Sequence, residues 1–451
     1  MATDHQSDAD REPSGFVPHL GAYYPESLAL AVVLGVLALL ATTPRLDALV
    51  QLELFSTGFT RVLSVQMALV LWWVLSATVV ESRPVGAAFD RLAARVPTSQ
   101  RAIVAGTALL ALVFGWVNWA LGFVGAVLVG QSLCRRAADR GVDVHYPLVL
   151  VAALLSLVTA TLGATSPGAL VMADPSGTIN VLLDGAGVVP LGTVVFHPAN
   201  LFVVGVLVVT LPPALAALAP DEDVTPVDES DLVVESSVRE TLDHYAPDID
   251  GEPVPADRLE QSTWLTAVVG AIGVVSIAWQ WALGAHRAML GVLFALLVVG
   301  LLVQRRPLAF VEKVSDSTRW VEHLLVPFLL YGSVYALLTE SGLAGAVGDA
   351  LASTGFPRIA SYAAALVLGV FVPDPGSLWL LLGPSATATA ANVDGLVVAV
   401  MAGAGVSNVW LSFLFLGVLG VRGFDWRTFL RYAVGLTVYV SAVVVAAFLL
   451  F

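Results

Sequence analysis

From residue 27 onward, apolar runs alternate with short polar stretches. The runs are too long for buried strands and have the length of membrane-crossing helices. They predict spans over 27–41, 63–80, 147–171 (interrupted near Gly163), 196–218, 263–283, 288–303, 321–338, 396–421 and 429–451. The shorter ones fall below the ~20 residues that a bilayer crossing needs, so their ends are soft. Two further apolar regions fit poorly as single spans. The region 102–133 is too long and carries polar Asn118 between Trp116 and Trp119 at its middle. The region 359–391 carries Pro373, Asp374, Pro375 and Gly376 at its middle. Each predicts a helical hairpin that dips into the membrane and returns to the same side. Irregular backbone at that depth is tolerated only where protein or a water-filled cavity surrounds it.

Two segments 259 residues apart repeat one pattern. Residues 79–93 and 338–352 both read E-S-x-x-x-G-A-x-x-D-x-L-A: Glu81, Ser82, Gly86, Ala87, Asp90, Leu92 and Ala93 against Glu340, Ser341, Gly345, Ala346, Asp349, Leu351 and Ala352. An internal repeat in a membrane chain predicts two related halves with a substrate held between them. Arginine placement sets their orientation. With both hairpins in place, fourteen Lys/Arg fall on one side (Arg83, Arg91, Arg95, Arg101, Arg135, Arg136, Arg140, Arg305, Arg306, Lys313, Arg319, Arg422, Arg427, Arg431) and four on the other (Arg45, Arg61, Arg287, Arg358), leaving out the N-terminal tail and the acidic linker. The rich side is cytoplasmic by the positive-inside rule. Glu81 then lies inside and Glu340 outside, so the halves are inverted. The expected layout is an acidic tail over 1–26, a first repeat over 27–219, a cytoplasmic linker over 220–262 and a second repeat over 263–451. The second repeat carries one extra span, 263–283.

Composition agrees. The chain of 451 residues is 57% hydrophobic and 12% charged, with a mean hydropathy of +0.85; soluble domains run about 25% charged. This is an all-α polytopic membrane protein with about nine full spans, two opposed re-entrant hairpins and interrupted helices. Its first twenty residues are polar, and no cleavable signal peptide is expected. The net charge is −14, yet Lys313 is the only lysine. The stretch 221–260 holds fourteen Asp/Glu against Arg239 and Arg258, and its composition predicts a disordered linker. Scarce lysine with surplus acid resembles proteins of high-salt organisms, haloarchaea among them. The alternative is one acidic loop and a genome that prefers arginine. There is no basic patch for nucleic acid, and the single Cys134 excludes an internal disulfide and a Cys-rich metal site.

Candidate chemistry lies where the helices should break. The repeat offset carries Asn118 onto Ser377, and both sit at hairpin tips. Weak points follow each hairpin at 163–168 and 403–408, where Gly and Pro loosen the helix and free backbone groups. Half-helix starts attract carboxylates, and freed carbonyls can hold Na⁺. The candidate substrate-binding residues are Asn118, Trp119, Thr165, Ser166, Gly376, Ser377, Trp379, Ser407 and Asn408, and Asp374 is the candidate for cation coupling. Together they describe a nearly uncharged polar site suited to a small monoanion. Plainer readings stand beside these. The hydroxyls could be packing residues, Asp374 could cap the returning helix, and the tryptophans could be interfacial anchors. Glu81 and Glu340 read as structural caps or gate contacts, and His197 as an interfacial residue. No metal cluster, nucleophile–base pair or nucleotide loop occurs, so neither an enzyme nor a primary pump is expected.

The chain resembles the short-chain fatty acid transporters of the acetoacetate/butyrate uptake type. Residues Val117-Asn118-Trp119-Ala120-Leu121-Gly122, the later Arg135-Arg136, and Tyr146-Pro147-Leu148-Val149 carry the likeness, together with Val372-Pro373-Asp374-Pro375-Gly376 and Trp379 through Gly383-Pro384. Gln66-Met67-Ala68-Leu69 and Glu340-Ser341-Gly342-Leu343 are similar too. The chain departs from the family where Asp374, Ser377, Leu378 and Leu382 replace its Ser, Gly, His and Gln. More remotely, the layout is similar to the ion-transporter superfamily of citrate, dicarboxylate and gluconate carriers. The resemblance implies a multi-pass protein of the cell (inner/cytoplasmic) membrane, with its N-terminus in the cytoplasm. It would move short-chain monocarboxylates inward with H⁺ or Na⁺ and without a cofactor, with homodimerisation by analogy. A carrier or antiporter for another small organic anion (a di- or tricarboxylate or a sugar acid) is the alternative, and a membrane sensor is a third reading.

Overall fold

The computed structural model describes residues 27–228, 231–234, 237–242, 254–284, 288–388, 392–419, 421 and 426–451. The N-terminal tail, part of the acidic linker, the last residues of the second hairpin region, Arg287 and Arg422 lie outside the described residues. Those described form helices and no strand. Among the described residues six helices are long and apolar enough to cross a membrane, and shorter apolar ones include Ser27–Thr42, Tyr146–Ala160 and Ala288–Gln304. The protein is an all-helical, multi-pass membrane protein.

The repeat offset holds through the first part of each half. Helix Ala48–Gly58 matches Pro307–Ser317 position for position at 259, and the 3₁₀ turns Phe59–Val62 and Thr318–Trp320 follow each. Helix Leu63–Val80 matches Glu322–Leu325 with Pro327–Glu340, and Arg83–Ala93 matches Leu343–Ser353 within a residue. The opening helix of each half packs on the other half: Ser27–Thr42 on Pro327–Glu340, and Ala288–Gln304 on Leu63–Val80. Gln66 Nε2 donates to the carbonyl of Leu325, its own counterpart 259 residues on, at 2.7 Å. Helix Ala48–Gly58 was not anticipated, because Glu53, Ser56 and Thr57 interrupt its apolar pattern. It runs on through Val80.

Both hairpins fold back on themselves. In the first, helices Gln100–Val117 and Trp119–Ala138 break at Asn118, whose backbone is extended (φ −159°, ψ 140°). The arms meet through Gly115 and Gly122; a β-carbon on Gly122 would stand 2.4 Å from the Gly115 Cα. The far ends of the two arms lie together, because both grip the linker. Gln100 Nε2 donates to Pro220 O, and Gln131 Oε1 accepts from the backbone N–H of Val233 and Val234. The second hairpin comprises Pro357–Leu368, a turn, and Pro375–Ala388.

Three expectations need correction. The linker is not disordered over its described part. Val234 and Val238 are fully buried, Arg135 Nη1 donates to Val234 O, and Asp90 accepts from the N–H groups of Val238 and Arg239. A few apolar residues, with side chains from the hairpin satisfying the backbone, outweigh the acidic composition. The span 147–171 does break, over 161–166, but the second weak point does not. Residues 403–408 lie inside the continuous helix Val393–Val418. Its glycines serve close packing: a β-carbon would stand 2.6 Å from Tyr362 O at Gly403 and 2.4 Å from Thr161 Oγ1 at Gly405. Finally, the offset slips by one helical turn at the hairpin tips, as the caps described next show.

Candidate functional site

Helix Leu63–Val80 passes both hairpin tips and bonds to each. Asn118 caps the returning helix of the first hairpin, its Oδ1 accepting from the N–H of Ala120 (2.9 Å) and Leu121 (3.3 Å). Its Nδ2 donates to Ser76 Oγ at 2.9 Å. Such a cap stabilises a helix start by about 1 kcal/mol. Asp374 does the same for the second hairpin. Its Oδ2 accepts from the Ser377 N–H (2.5 Å) and Oγ (2.9 Å), and its Oδ1 accepts from Trp73 Nε1 (3.2 Å). Trp73 and Ser76 are one turn apart on the same helix. Asn118 therefore corresponds to Asp374, not to Ser377, which lies three residues further on. Asp374 is wholly buried, and three donors converging on its two oxygens suit the acceptor-only carboxylate.

Aromatic rings fill the space beside the tips. Trp73 and Trp119 are 4.1 Å apart at their centroids, Trp72 and Trp73 5.3 Å, Trp119 and Trp320 5.3 Å, and Phe123 and Trp320 6.0 Å. The indole N–H groups of Trp72, Trp119 and Trp379 are buried without an acceptor among the described residues, and so is the Ser166 hydroxyl. A buried donor left unpaired costs about 1–3 kcal/mol. The first tip is seated on the interrupted span: Ala164 N–H donates to Trp116 O at 2.7 Å, and Thr165 Oγ1 donates to Val117 O at 3.1 Å.

Eight of the ten candidates thus lie on the two tips or on the break seated against the first tip, and the other two, Ser407 and Asn408, lie on helix Val393–Val418. Gly376 packs against Leu69, at the site where helix Leu63–Val80 meets the second tip. Thr165 is committed to the first tip, and Ser407 is buried and bonded to Ala404 O. Asn408 is buried one residue on. Trp72, Trp73, Ser76 and Trp320 were missed. They sit in unbroken apolar helix or beside a charged turn, and no local pattern marks them. The tips are tightly packed, and cavities of about 640 and 500 Å³ lie elsewhere.

Behind Trp320 lies a charge cluster. Glu81, only 3% exposed, accepts from Lys313 Nζ (2.5 Å), Arg319 Nη2 (2.7 Å) and Trp320 Nε1 (3.0 Å). Asp316 pairs with Lys313 at 2.8 Å and with Arg319. Burial works to raise the Asp316 pKa, but hydrogen bonds and charge from Lys313 and Arg319 outweigh it and hold the carboxyl at about 2. The counterpart, Glu340, pairs with Arg61 at 2.5 Å, with both side chains over 40% exposed. The pairs are reciprocal: each half supplies the glutamate of one and the arginine of the other. Glu81 thus ties the end of helix Leu63–Val80 to the segment that carries Lys313, Arg319 and Trp320. His197 accepts the Ala199 N–H and so caps helix Pro198–Ala217.

Comparisons with known proteins agree with this architecture. A family model described as "Short chain fatty acid transporter" matches residues 14–451. Two proteins named "Putative short-chain fatty acid transporter" align over nearly their whole length. The one from Escherichia coli (strain K12) is 25% identical, over 95% of this chain and 97% of its own. The one from Haemophilus influenzae is 21% identical, over 93% and 95%. The crystal structure of the YdaH transporter of Alcanivorax borkumensis superposes with a TM-score of 0.51 at 14% identity, covering 93% of this chain and 97% of that one, and shows a shared fold. These are transporters rather than enzymes, and the chain belongs to the short chain fatty acid transporter family.

Proposed function

We propose that the chain is a secondary carrier that takes up short-chain monocarboxylates with H⁺ or Na⁺, its inverted halves exposing one site alternately to each side of the cell membrane. One observation carries the reading. Unpaired indole donors of Trp72 and Trp119 sit in an aromatic cluster beside both hairpin tips. A carboxylate supplies the missing acceptors, and the ring walls suit a short aliphatic tail. With the tips packed shut, entry requires them to part from helix Leu63–Val80, which breaks the Asn118–Ser76 and Trp73–Asp374 bonds. Asp374 is the cation-coupling group in this scheme, because a proton or Na⁺ on its carboxylate competes with Trp73. The Gln66–Leu325 contact, the reciprocal ion pairs and the arginine asymmetry support the inverted arrangement, with the N-terminus cytoplasmic.

The test is uptake of labelled acetate, butyrate and acetoacetate into proteoliposomes under imposed H⁺ or Na⁺ gradients. A gradient should drive accumulation of at least one of them. Trp119→Phe keeps the ring and removes the donor, and should raise KM about tenfold, the equivalent of one hydrogen bond to a charged group. Absence of gradient-driven flux for every carboxylate with the wild-type protein refutes the proposal.

A further inference from the structure

The cavity of about 640 Å³ lies away from the hairpin tips and is lined by five arginines: Arg83, Arg91, Arg239, Arg305 and Arg306. They come from three separate segments. Arg83 and Arg91 lie on helix Arg83–Ala93, Arg239 on the docked linker, and Arg305 and Arg306 directly after helix Ala288–Gln304. In a chain of net charge −14 with only 21 basic residues, such a gathering is not compositional accident. Like charges drawn together repel unless an anion lies among them. Arg91, Arg239, Arg305 and Arg306 form no ion pair among the described residues.

The cavity is built rather than incidental. Both oxygens of Asp90 are taken up by the N–H groups of Val238 and Arg239, which fixes Arg239 over the helix that carries Arg83 and Arg91. The Arg239 Cα approaches Gly86 so closely that a β-carbon there would stand 2.8 Å from it. Arg305 holds a left-handed backbone (φ 65°), which is uncommon outside glycine.

Its surroundings identify the ligand. Val303 and Gln304 close one apolar helix and Thr263 begins another, and all three line the cavity. Trp264, 73% exposed, stands beside Thr263. Exposed tryptophan and arginine at the ends of apolar helices mark the headgroup level of a bilayer. Planar guanidinium forks bind phosphate oxygens two at a time. We propose that this cavity binds a phosphate ester anion, supplied by the headgroup of an anionic phospholipid in the arginine-rich leaflet.

The test uses the full chain in zwitterionic detergent, with phosphatidylglycerol, phosphatidylcholine or inorganic phosphate added. Protein-bound lipid phosphorus after gel filtration and Tm are read together. Phosphatidylglycerol should be retained and raise Tm, and phosphatidylcholine should do neither. Retention should fall about tenfold or more in Arg305→Gln/Arg306→Gln, given the worth of a hydrogen bond to a charged group. Arg91→Gln/Arg239→Gln gives the same reading if the first pair does not fold, and Arg358→Gln, on another surface, should change nothing. Protection by inorganic phosphate that the same variants abolish would keep the phosphate site and assign it to a soluble anion, overturning the lipid as its source. Equal retention and equal protection in wild type and folded variants would overturn the site altogether.

Discussion

Gly163→Ala tests whether the interrupted span and the first hairpin tip act as one unit. A β-carbon on Gly163 would stand 1.8 Å from the Trp116 carbonyl oxygen, 2.5 Å from its carbonyl carbon and 2.7 Å from its Cα. Ordinary carbon contacts begin near ~3.5 Å, so a gap well over an ångström must open. All three atoms are backbone, and no rotamer change relieves the clash. Opening the gap also stretches the 2.7 Å bond from Ala164 N–H to Trp116 O. Overpacking costs about 1–3 kcal/mol and the lost buried hydrogen bond about 1 kcal/mol, so the variant should lose about 2–4 kcal/mol. Gly345→Ala is the control. Nothing lies within 4 Å of its β-carbon, and alanine in a helix gains about 0.5–1 kcal/mol over glycine. Thermal unfolding in detergent and carboxylate uptake in proteoliposomes measure both. Gly163→Ala should melt lower and transport poorly, while Gly345→Ala should match or exceed the wild type. If Gly163→Ala melts and transports like wild type, the tip is not seated on the break and the site as described is wrong.

Three further outcomes follow from the charged groups. Lys313→Met leaves Glu81 with one cation fewer and should cost up to about 3–5 kcal/mol, and Glu81→Gln/Lys313→Met should cost less than the sum of its parts; strict additivity in the double-mutant cycle would dissolve the cluster. Asp374→Asn replaces one acceptor oxygen with a donor facing Trp73 or Ser377, so it should lower Tm and alter the cation dependence of uptake. A folded Asp374→Asn variant with unchanged cation dependence removes Asp374 from coupling. The Asp316 carboxyl is held down at about 2, below its ordinary 3.8, so its contribution is full above pH ~4 and disappears as pH falls through ~2. Asp316→Asn should lose that contribution at neutral pH and show a flatter stability profile over the acid window, and parallel profiles would contradict the pairing with Lys313 and Arg319.

The long apolar helices, the helix breaks at Asn118 and Pro373–Gly376, and the break after residue 160 were legible in the sequence because lipid imposes long apolar runs and only strong local signals interrupt them. Asn118 and the Pro373–Gly376 turn are such signals. The absence of a second break is not legible, because glycine that admits a close neighbour looks the same in sequence whether or not the helix is interrupted there. At 163 it admits the backbone of the first hairpin tip beside a break that Pro167 helps to make, and at 403 and 405 it admits neighbouring backbone and side-chain atoms against an unbroken helix. The one-turn slip between Asn118 and Asp374 was invisible for a related reason: the repeat was anchored at Glu81 and Glu340, and the hairpins after them differ in arm length. The tryptophans on helix Leu63–Val80 and after Arg319 could not be placed, since an apolar membrane helix shows no polar face to reveal its inner side. In the linker, abundant acid masks the few valines, Val234 and Val238, that bury.

The scarcity of lysine gives the charge cluster one more use. An amine-selective reagent finds a single side-chain target in this chain, Lys313, together with the α-amino group. That target is 3% exposed and tied to Glu81 and Asp316. Its labelling rate therefore reports opening of this charge cluster, readable by mass spectrometry on the unmodified sequence. The buried Cys134, the only thiol, is a second single-copy handle on the first hairpin. Two chemistries can thus follow the accessibility of two buried sites in one wild-type chain.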